Sequence, residues 1–565
     1  MSLELKQAFS LHQAGDLTAA KEKYKAVLKN NPQEFEALVL LAMLLIQEKN
    51  HSEALDYFLQ AEMCSPQHPQ VQVHLANTYQ LLEKPELALQ YYQNALALNQ
   101  NYAEAHHNLA NLYAKLSDYP KAIHHYEKAI ALQPNYMTAY HHLALLYLKQ
   151  GNESLAKKYF EAVLELSPHN TLASYHLGNF ALTDNALEQA IAYYENGLNE
   201  DVDYIPILSN LAATHLKLGH KDKAMVLYRH ILQLDKDDAM THMNLAAIYL
   251  LDKNYRLAIK HYSLVLEQDE ANFNAHFNLG TIFMDKESYD MASAHFQTAV
   301  ALLPENAEAH YNYATCLLKK NLFQTALHHL RQAVKCAPKN DVFKFRLAAV
   351  SGESNPAKPP PEYIETLFDR YAERFDQDLL QRLQYKAPEL LSALLKEPLS
   401  TIHNAKVVDI GCGTGLCGEY LKHFVSELIG IDLSSAMLEK AKAKHSYQEL
   451  IQGDIPTVLT EHHFNADALI AADVWIYFGD LELLFKQARL QVKNQGWLAF
   501  SCEEGEHDDD AFHLAPTGRY QHSKTYIDSL LAKTGWQLVR DVQVSLREQQ
   551  GKPVAGRLYL CRKIV

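Results

Sequence analysis

The chain has 565 residues, 48% apolar and 21% charged, with a formal net charge of −15. That length exceeds what one hydrophobic core supports, so two or more domains are expected. The negative charge is spread along the chain without a Lys/Arg run, which argues against nucleic acid or an anionic membrane as a partner. The seven cysteines are odd in number and form no C-x-x-C pair, so free thiols in a reducing compartment are expected rather than a disulfide framework or a zinc site. The start, Met1-Ser2-Leu3-Glu4, does not read as a signal peptide and no apolar run reaches membrane-spanning length, so a cytoplasmic location is expected.

From residue 1 to 340 a period of 34 residues recurs ten times without an insertion. Its twentieth position is Ala in every copy, from Ala20 and Ala54 to Ala292 and Ala326. The eighth is always small, as in Ala42, Ala110, Gly178 and Gly280, and the twenty-fourth is aromatic in all copies but the last (Tyr24, Phe58, Tyr92, then Leu330). The thirty-second is often Pro (Pro32, Pro66, Pro134, Pro168, Pro304, Pro338). Small residues let paired helices approach, a ring is expected to fill the gap to the next pair, and the proline ends the second helix. The pattern resembles the tetratricopeptide repeat. The resemblance implies an α-solenoid, a right-handed superhelix whose concave face is lined by the first helix of each repeat, with a capping helix beginning at Asp341.

The sixth position of that first helix is expected to face the groove. It reads Asn108, Asn210, Asn244, Asn278 and Asn312, with His74, His142 and His176 in other copies. The ninth adds Asn77, Asn111 and Asn179. A primary amide both donates and accepts, so a row of them can pair with the backbone of an extended peptide. The row resembles the asparagine ladder of O-linked N-acetylglucosamine transferases; a merely tolerated polar face is the blander reading. No histidine pair is spaced to close a metal site with carboxylates, so no metal is expected.

Asn355-Pro356-Ala357-Lys358-Pro359-Pro360-Pro361 breaks the period and reads as a stiff linker. The expected division is therefore 1–354 for the ten repeats and capping helix, 355–361 for the linker, and 362–565 for a second domain. Two helices are expected over 362–397. Apolar strands then alternate with amphipathic helices near 406–410, 427–432, 448–452, 467–472 and 496–502, with a closing hairpin of 537–546 and 556–562. This alternation signals a doubly wound α/β sheet.

Within it, Lys406-Val407-Val408-Asp409-Ile410-Gly411-Cys412-Gly413-Thr414-Gly415 is a strand running into a glycine turn. Glycines allow the sharp turn and a close ligand approach. The Gly-x-Gly-x-Gly spacing differs from the Gly-x-Gly-x-x-Gly that brings a pyrophosphate to a helix N-terminus, and a carboxylate at Asp409 would repel such a ligand. The motif is similar to motif I of class I S-adenosylmethionine-dependent methyltransferases, whose fold is Rossmann-like and seven-stranded with a final hairpin. That resemblance implies S-adenosylmethionine as cofactor, bound by Asp409, Gly411, Cys412, Gly413, Thr414 and Gly415. It implies further contacts from Asp432 and Leu433 to the ribose, and from Asp454 and Ile455 to the adenine. Leu367 to Asp376 reads either as a helix on the sheet edge or as a lid, with Tyr371 near the cofactor's carboxylate.

Acceptor-side candidates are Asp473, which with Tyr477 equally fits a helix cap, and the set Arg519, Tyr520 and His522, with His522 the one evident base near neutral pH. The Asp/Asn-Pro-Pro-Tyr motif of nucleobase and glutamine methylation is absent after the fourth strand. The segments around Phe375, Gly413 and His522 together resemble bacterial tetratricopeptide-repeat methyltransferases similar to trans-aconitate methyltransferase. Three functions follow as expectations. The first is a methyltransferase whose repeats recruit a protein or peptide that is the acceptor or its carrier. The second is a small-molecule O-methyltransferase acting on a carboxylate or phenol, with repeats for assembly. The third is a non-catalytic scaffold.

Overall fold

The computed structural model of the chain describes residues 2–372, 375–377, 385–505, 511–549 and 552–564, without the side chains of 370, 371, 377, 549 and 552. These residues form two compact units, 1–248 and 249–565. The division falls inside the repeat array.

Among the described residues, twenty-one consecutive helices run from Leu3–Gln13 to Asp341–Ser351 and stack in pairs as an α-solenoid. The fourth repeat is typical: helix Ala103–Lys115, a tight turn, then helix Tyr119–Leu132. The turn residue at position 15 takes a left-handed conformation in all ten copies, whether glycine (Gly15, Gly151, Gly219) or not (Lys49, Glu83, Ser117, Asn185, Lys253, Glu287, Asn321). In several copies the next residue caps the second helix, as where the Ala19 backbone N–H donates to Asp16 Oδ1 at 3.0 Å. The position-24 ring packs across its own pair, against the small position-8 residue. A Cβ on Gly178 would collide with Tyr194, and one on Gly280 would lie 2.8 Å from Phe296. The ring therefore packs within its pair and also meets the next one, as where Phe160 stacks on His176 with centroids 4.6 Å apart and Phe58 on His74 at 5.2 Å. Burial of the phenol requires a partner, and the Asn at position 9 supplies it: the hydroxyls of Tyr126 and Tyr194 donate to Asn111 and Asn179 at 2.5 and 2.7 Å, and that of Tyr92 to Asn77.

In the second unit the last helix of the array, Asp341–Ser351, leads into the Pro-rich run. This run is held tightly and does not hang free. Asn355 Nδ2 donates to the Phe512 carbonyl at 2.7 Å, the Leu514 N–H donates back to Asn355 Oδ1, and the Gly479 N–H donates to the Ala357 carbonyl at 2.8 Å. Phe345, Ala348 and Ala349 of the capping helix pack on Leu514 and Tyr520.

The sheet of this unit contains β1 (Lys406–Ile410), β2 (Glu427–Asp432), β3 (Glu449–Gln452), β4 (Ala466–Ala471) and β5 (Val492–Glu503). After a small two-stranded ribbon, β6 (Phe512–Leu514) and β7 (Tyr520–His522), the hairpin β8 (Trp536–Gln549) and β9 (Lys552–Lys563) completes it. Strand order is β3-β2-β1-β4-β5-β9-β8, parallel through β5 and antiparallel beyond. This is the seven-stranded arrangement expected from the sequence, and the β6–β7 ribbon is the addition. Alternate residues serve opposite faces: Val408 and Ile410 join a core with helices Ile455–Glu461, Glu482–Gln491 and Lys524–Thr534, while Val407 packs with helices Ala387–Leu399 and Leu416–Leu421. Among the described residues no helix is long and apolar enough to cross a membrane.

Candidate active site

A cavity of about 640 Å³ opens where β1, β2 and β4 end. In parallel α/β sheets this edge, beside the crossover between strand pairs, is where ligands bind. Gly411, Cys412, Gly413, Thr414, Asp432, Leu433, Asp454 and Ile455 all line it.

The glycine turn has φ of +67° at Gly411, +55° at Gly413 and +85° at Gly415, a region L side chains avoid. A Cβ on Gly411 would lie 2.6 Å from Val474, whereas one on Gly413 would meet only Phe375, at 3.8 Å. Gly413 thus leaves its space to the cavity. Asp432 braces the turn: its Oδ2 accepts the Gly413 N–H at 2.8 Å and its Oδ1 accepts the Ser434 N–H at 3.0 Å. Burial raises its pKa, and the backbone N–H groups of Ser434, Gly413 and Leu433 oppose the shift. Asp454 stands at the N-cap of helix Ile455–Glu461 but its side chain makes no capping bond, which leaves the carboxylate for the cavity. Gly415 supports the turn without lining the cavity.

Asp409 does not reach the cavity. Its carboxylate is buried beside Tyr447, whose hydroxyl donates to Oδ2 at 2.6 Å, and Oδ1 has no partner among the described residues. Burial carries its pKa up to about 7, against the Tyr447 hydrogen bond. The expected direct contact from Asp409 is thus replaced by a supporting position behind the turn.

In the segment expected as a sheet-edge helix or a lid, the described Asp369 and Asp376 bond to the turn region. Ser434 Oγ donates to Asp369 at 2.5 Å, Thr414 Oγ1 donates to Asp376, and Lys444 Nζ donates to Asp376 Oδ2 at 2.6 Å. Phe368 packs edge-on against Tyr477, with centroids 5.3 Å apart. The Tyr371 side chain lies outside the described residues.

The acceptor-side candidates separate. Asp473 and Arg519 line the cavity; Tyr520 and His522 do not. Tyr520 is fully buried and donates to the Pro356 carbonyl at 2.6 Å. His522 is buried with Nε2 placed 2.9 and 3.1 Å from the Phe478 and Gly479 carbonyls, and burial lowers its pKa to about 4. A base must reach the proton it takes, so both residues are pins for the β6–β7 ribbon and neither is a catalytic group.

Sequence reasoning missed Arg547. The register of β8 on β9 shifts between Ser545 and Arg547, and such a bulge re-aims side chains. Leu546 and Arg547 are consequently both buried, and Arg547 enters the cavity wall. Its Nη1 donates to Asp473 Oδ2 at 2.8 Å and its Nη2 to Glu503. Ser501 Oγ, 2.8 Å from Asp473 Oδ1, also accepts the Asp473 N–H. Arg519 Nη1 stands 3.9 Å from Glu503. Burial works against the charge of Arg519, but Tyr477 and Glu503 hold its pKa above the ordinary value.

In the repeats, Asn108 and Asn210 donate back to the position-9 amides of the preceding copies, Asn77 and Asn179, at 3.4 and 2.7 Å. Asn244, Asn278 and Asn312 follow copies with Ala213, Ala247 and Thr281 at that position. Among the described residues their side chains carry no such bond.

The methyltransferase domain family matches residues 408–500, and tetratricopeptide repeat families match segments including 5–69, 69–102, 103–136, 142–198, 205–238 and 277–341. Methyltransferase-like protein 27 of Homo sapiens is 37% identical over 111 residues, 19% of this chain and 44% of that protein. A ubiquinone biosynthesis O-methyltransferase of Bartonella quintana is 27% identical over 20% of this chain and 49% of its own length. A malonyl-[acyl-carrier protein] O-methyltransferase of Pseudescherichia vulneris is 29% identical over 24% of this chain and 52% of its own length. The chain thus spans about half the length of these relatives.

Proposed function

We propose that this chain, which carries tetratricopeptide repeats and a class I methyltransferase domain, is an S-adenosylmethionine-dependent methyltransferase whose repeats recruit a protein or peptide that is the acceptor or its carrier. The observation that carries the reading is one cavity wall holding the open face of Gly413, the braced carboxylate of Asp432 and the uncapping carboxylate of Asp454.

The donor set suits S-adenosylmethionine. Asp432 retains lone pairs that would accept from the ribose hydroxyls, Asp454 would accept from the adenine amino group, and Ile455 would present an apolar surface to the ring. The carboxylates favour a cationic ligand and disfavour a pyrophosphate. The bound cofactor would supply a methyl group already activated by a sulfonium. The chain's own task is then alignment and exclusion of water. Phe368 and Tyr477 cover the opening, Asp376 ties the lid to Thr414 and Lys444, and the Arg547–Asp473–Ser501 chain fixes the wall on the acceptor side. A carboxylate acceptor needs no base, and His522 offers none.

Asn244, Asn278 and Asn312, whose amides are uncommitted, support recruitment of an extended peptide. The second reading, an O-methyltransferase for a small acid with the repeats used for assembly, is favoured by Arg519 on the cavity wall and by the O-methyltransferases among the relatives. Native cell extract incubated with the full chain and labelled S-adenosylmethionine separates the two. The first reading expects label in protein, or in a small molecule delivered by a carrier protein, reduced by changing Asn244, Asn278 and Asn312 to Ala. Label in free small molecules, indifferent to those changes, would leave only the second. No transfer by a chain that binds the cofactor would sink both.

A further inference from the structure

The last repeat is part of the cavity. The turn between helices Ala307–Lys319 and Phe323–Cys336 brings Leu318, Lys319, Asn321 and Phe323 onto the same walls as Gly413 and Asp432. The capping helix adds Arg346 and the linker adds Lys358. Lys319 and Lys358 are exposed at the rim, and Arg346 is half-buried, donating to the Pro516 carbonyl at 2.8 Å.

Three cations from three segments therefore line one cavity. None of them pairs with a carboxylate among the described residues. Their sequence neighbours behave otherwise: Lys320 pairs with Asp290, Arg331 with Glu353 and Lys344 with Asp341. The carboxylates on the wall are committed elsewhere or stand apart. Asp473 is held by Arg547, Asp432 braces the glycine turn, Asp454 belongs to the helix at the end of β3, and Glu548 pairs with none of the three. Like charges around one opening repel until an anion joins them. The same lining carries the apolar side chains of Leu318, Phe323, Ile364 and Leu367. Phe323 is 48% exposed, an aromatic face left open beside the cations.

We infer that the methyl acceptor is an elongated amphiphile whose acidic group, remote from the reacting atom, docks on Lys319, Arg346 and Lys358, so that the tenth repeat is a wall of the active site. This rests on the methyltransferase reading. The acidic group is a carboxylate or a phosphate, and the shared chemistry is charge-assisted hydrogen bonding to ammonium and guanidinium groups. The last repeat then acts as a ruler, admitting acceptors long enough to span from the glycine turn to the rim.

The test is calorimetric titration of the full chain, saturated with S-adenosylhomocysteine, with octanoate, octyl phosphate, octanol and octylamine. The acids are expected to bind more tightly than octanol, and octylamine not to bind. Lys319→Gln with Lys358→Gln is expected to weaken the acids about tenfold, as loss of charge-assisted contacts does. Phe323→Ala is expected to weaken both the acids and octanol. The tighter of the two acids identifies the acceptor's acidic group. Octylamine binding as well as the acids, no binding of either acid, or an unaffected Lys319/Lys358 double variant would each overturn the inference while S-adenosylhomocysteine still bound. Failure of S-adenosylhomocysteine to bind would instead overturn the methyltransferase reading, and the inference with it.

Discussion

Replacing Arg547 by Met tests a buried ion pair that joins the cavity wall to Glu503 behind it. Arg547 and Glu503 are 2% and 4% exposed. Breaking a buried ion pair from one side costs about 3–5 kcal/mol, because a charge is left without compensation. Three features reduce that cost here. Asp473 keeps Ser501, Glu503 keeps Arg519 at 3.9 Å, and Arg547 Nε, buried without a partner, is removed. Recovering one unsatisfied donor returns roughly 1 kcal/mol. The expected loss for Arg547→Met is therefore about 2–3 kcal/mol. All three tryptophans, Trp475, Trp497 and Trp536, lie in the domain that holds the pair. Urea unfolding followed by tryptophan fluorescence thus reads this domain and not the repeats. Adding Glu503→Gln should restore about half of the loss, since the remaining partners then carry no excess charge. A single variant that loses under about 0.5 kcal/mol, or a double variant less stable than the single, would refute the reasoning.

Other consequences are open to measurement. Asp409 titrates near 7 in the fold and near 4 when unfolded, so its contribution to stability is full below pH 4 and is lost as pH rises through 7. Asp409→Asn should flatten the fall in tryptophan-detected stability between pH 5 and 7.5; an unchanged slope would contradict this. In the repeats, burial lowers His107, His125, His141 and His329 to about 4. Their stabilisation is present above pH 6.5 and is lost as pH falls toward 4. The far-ultraviolet melting midpoint should drop from pH 7.5 to 5, and less so in His107→Gln/His141→Gln. Gly151 has φ +74° with nothing within 4 Å of an added Cβ, so Gly151→Ala should cost only the conformational term, about 1 kcal/mol, read from the same melts.

The repeats were legible because their constraint is periodic: a small residue in all ten copies and a ring in nine of them set the helix packing. The glycine turn and the carboxylates at the ends of β2 and β3 were legible because strand ends fix their spacing. The acceptor side was not. Arg547 reaches the cavity through a bulge, and Glu503 meets it across 44 residues of sequence. Tyr520 and His522 looked like a polar catalytic set, yet their polar atoms face the backbone carbonyls of Pro356, Phe478 and Gly479. Asp409 was assigned to the ligand from its place beside the turn, whereas its carboxylate is buried on the Tyr447 hydroxyl and does not line the cavity. The linker read as a spacer because proline composition reports stiffness and says nothing of the hydrogen bonds that Asn355 makes.

The central claim is that the cavity at the glycine turn holds S-adenosylmethionine. Its most direct test is calorimetric titration of the full chain with S-adenosylhomocysteine, with NAD as control. One-to-one binding is expected, weakened at least tenfold by Asp432→Ala in a variant whose tryptophan-detected unfolding is cooperative, with no heat from NAD. Absence of S-adenosylhomocysteine binding, or binding unchanged by Asp432→Ala, would contradict the account.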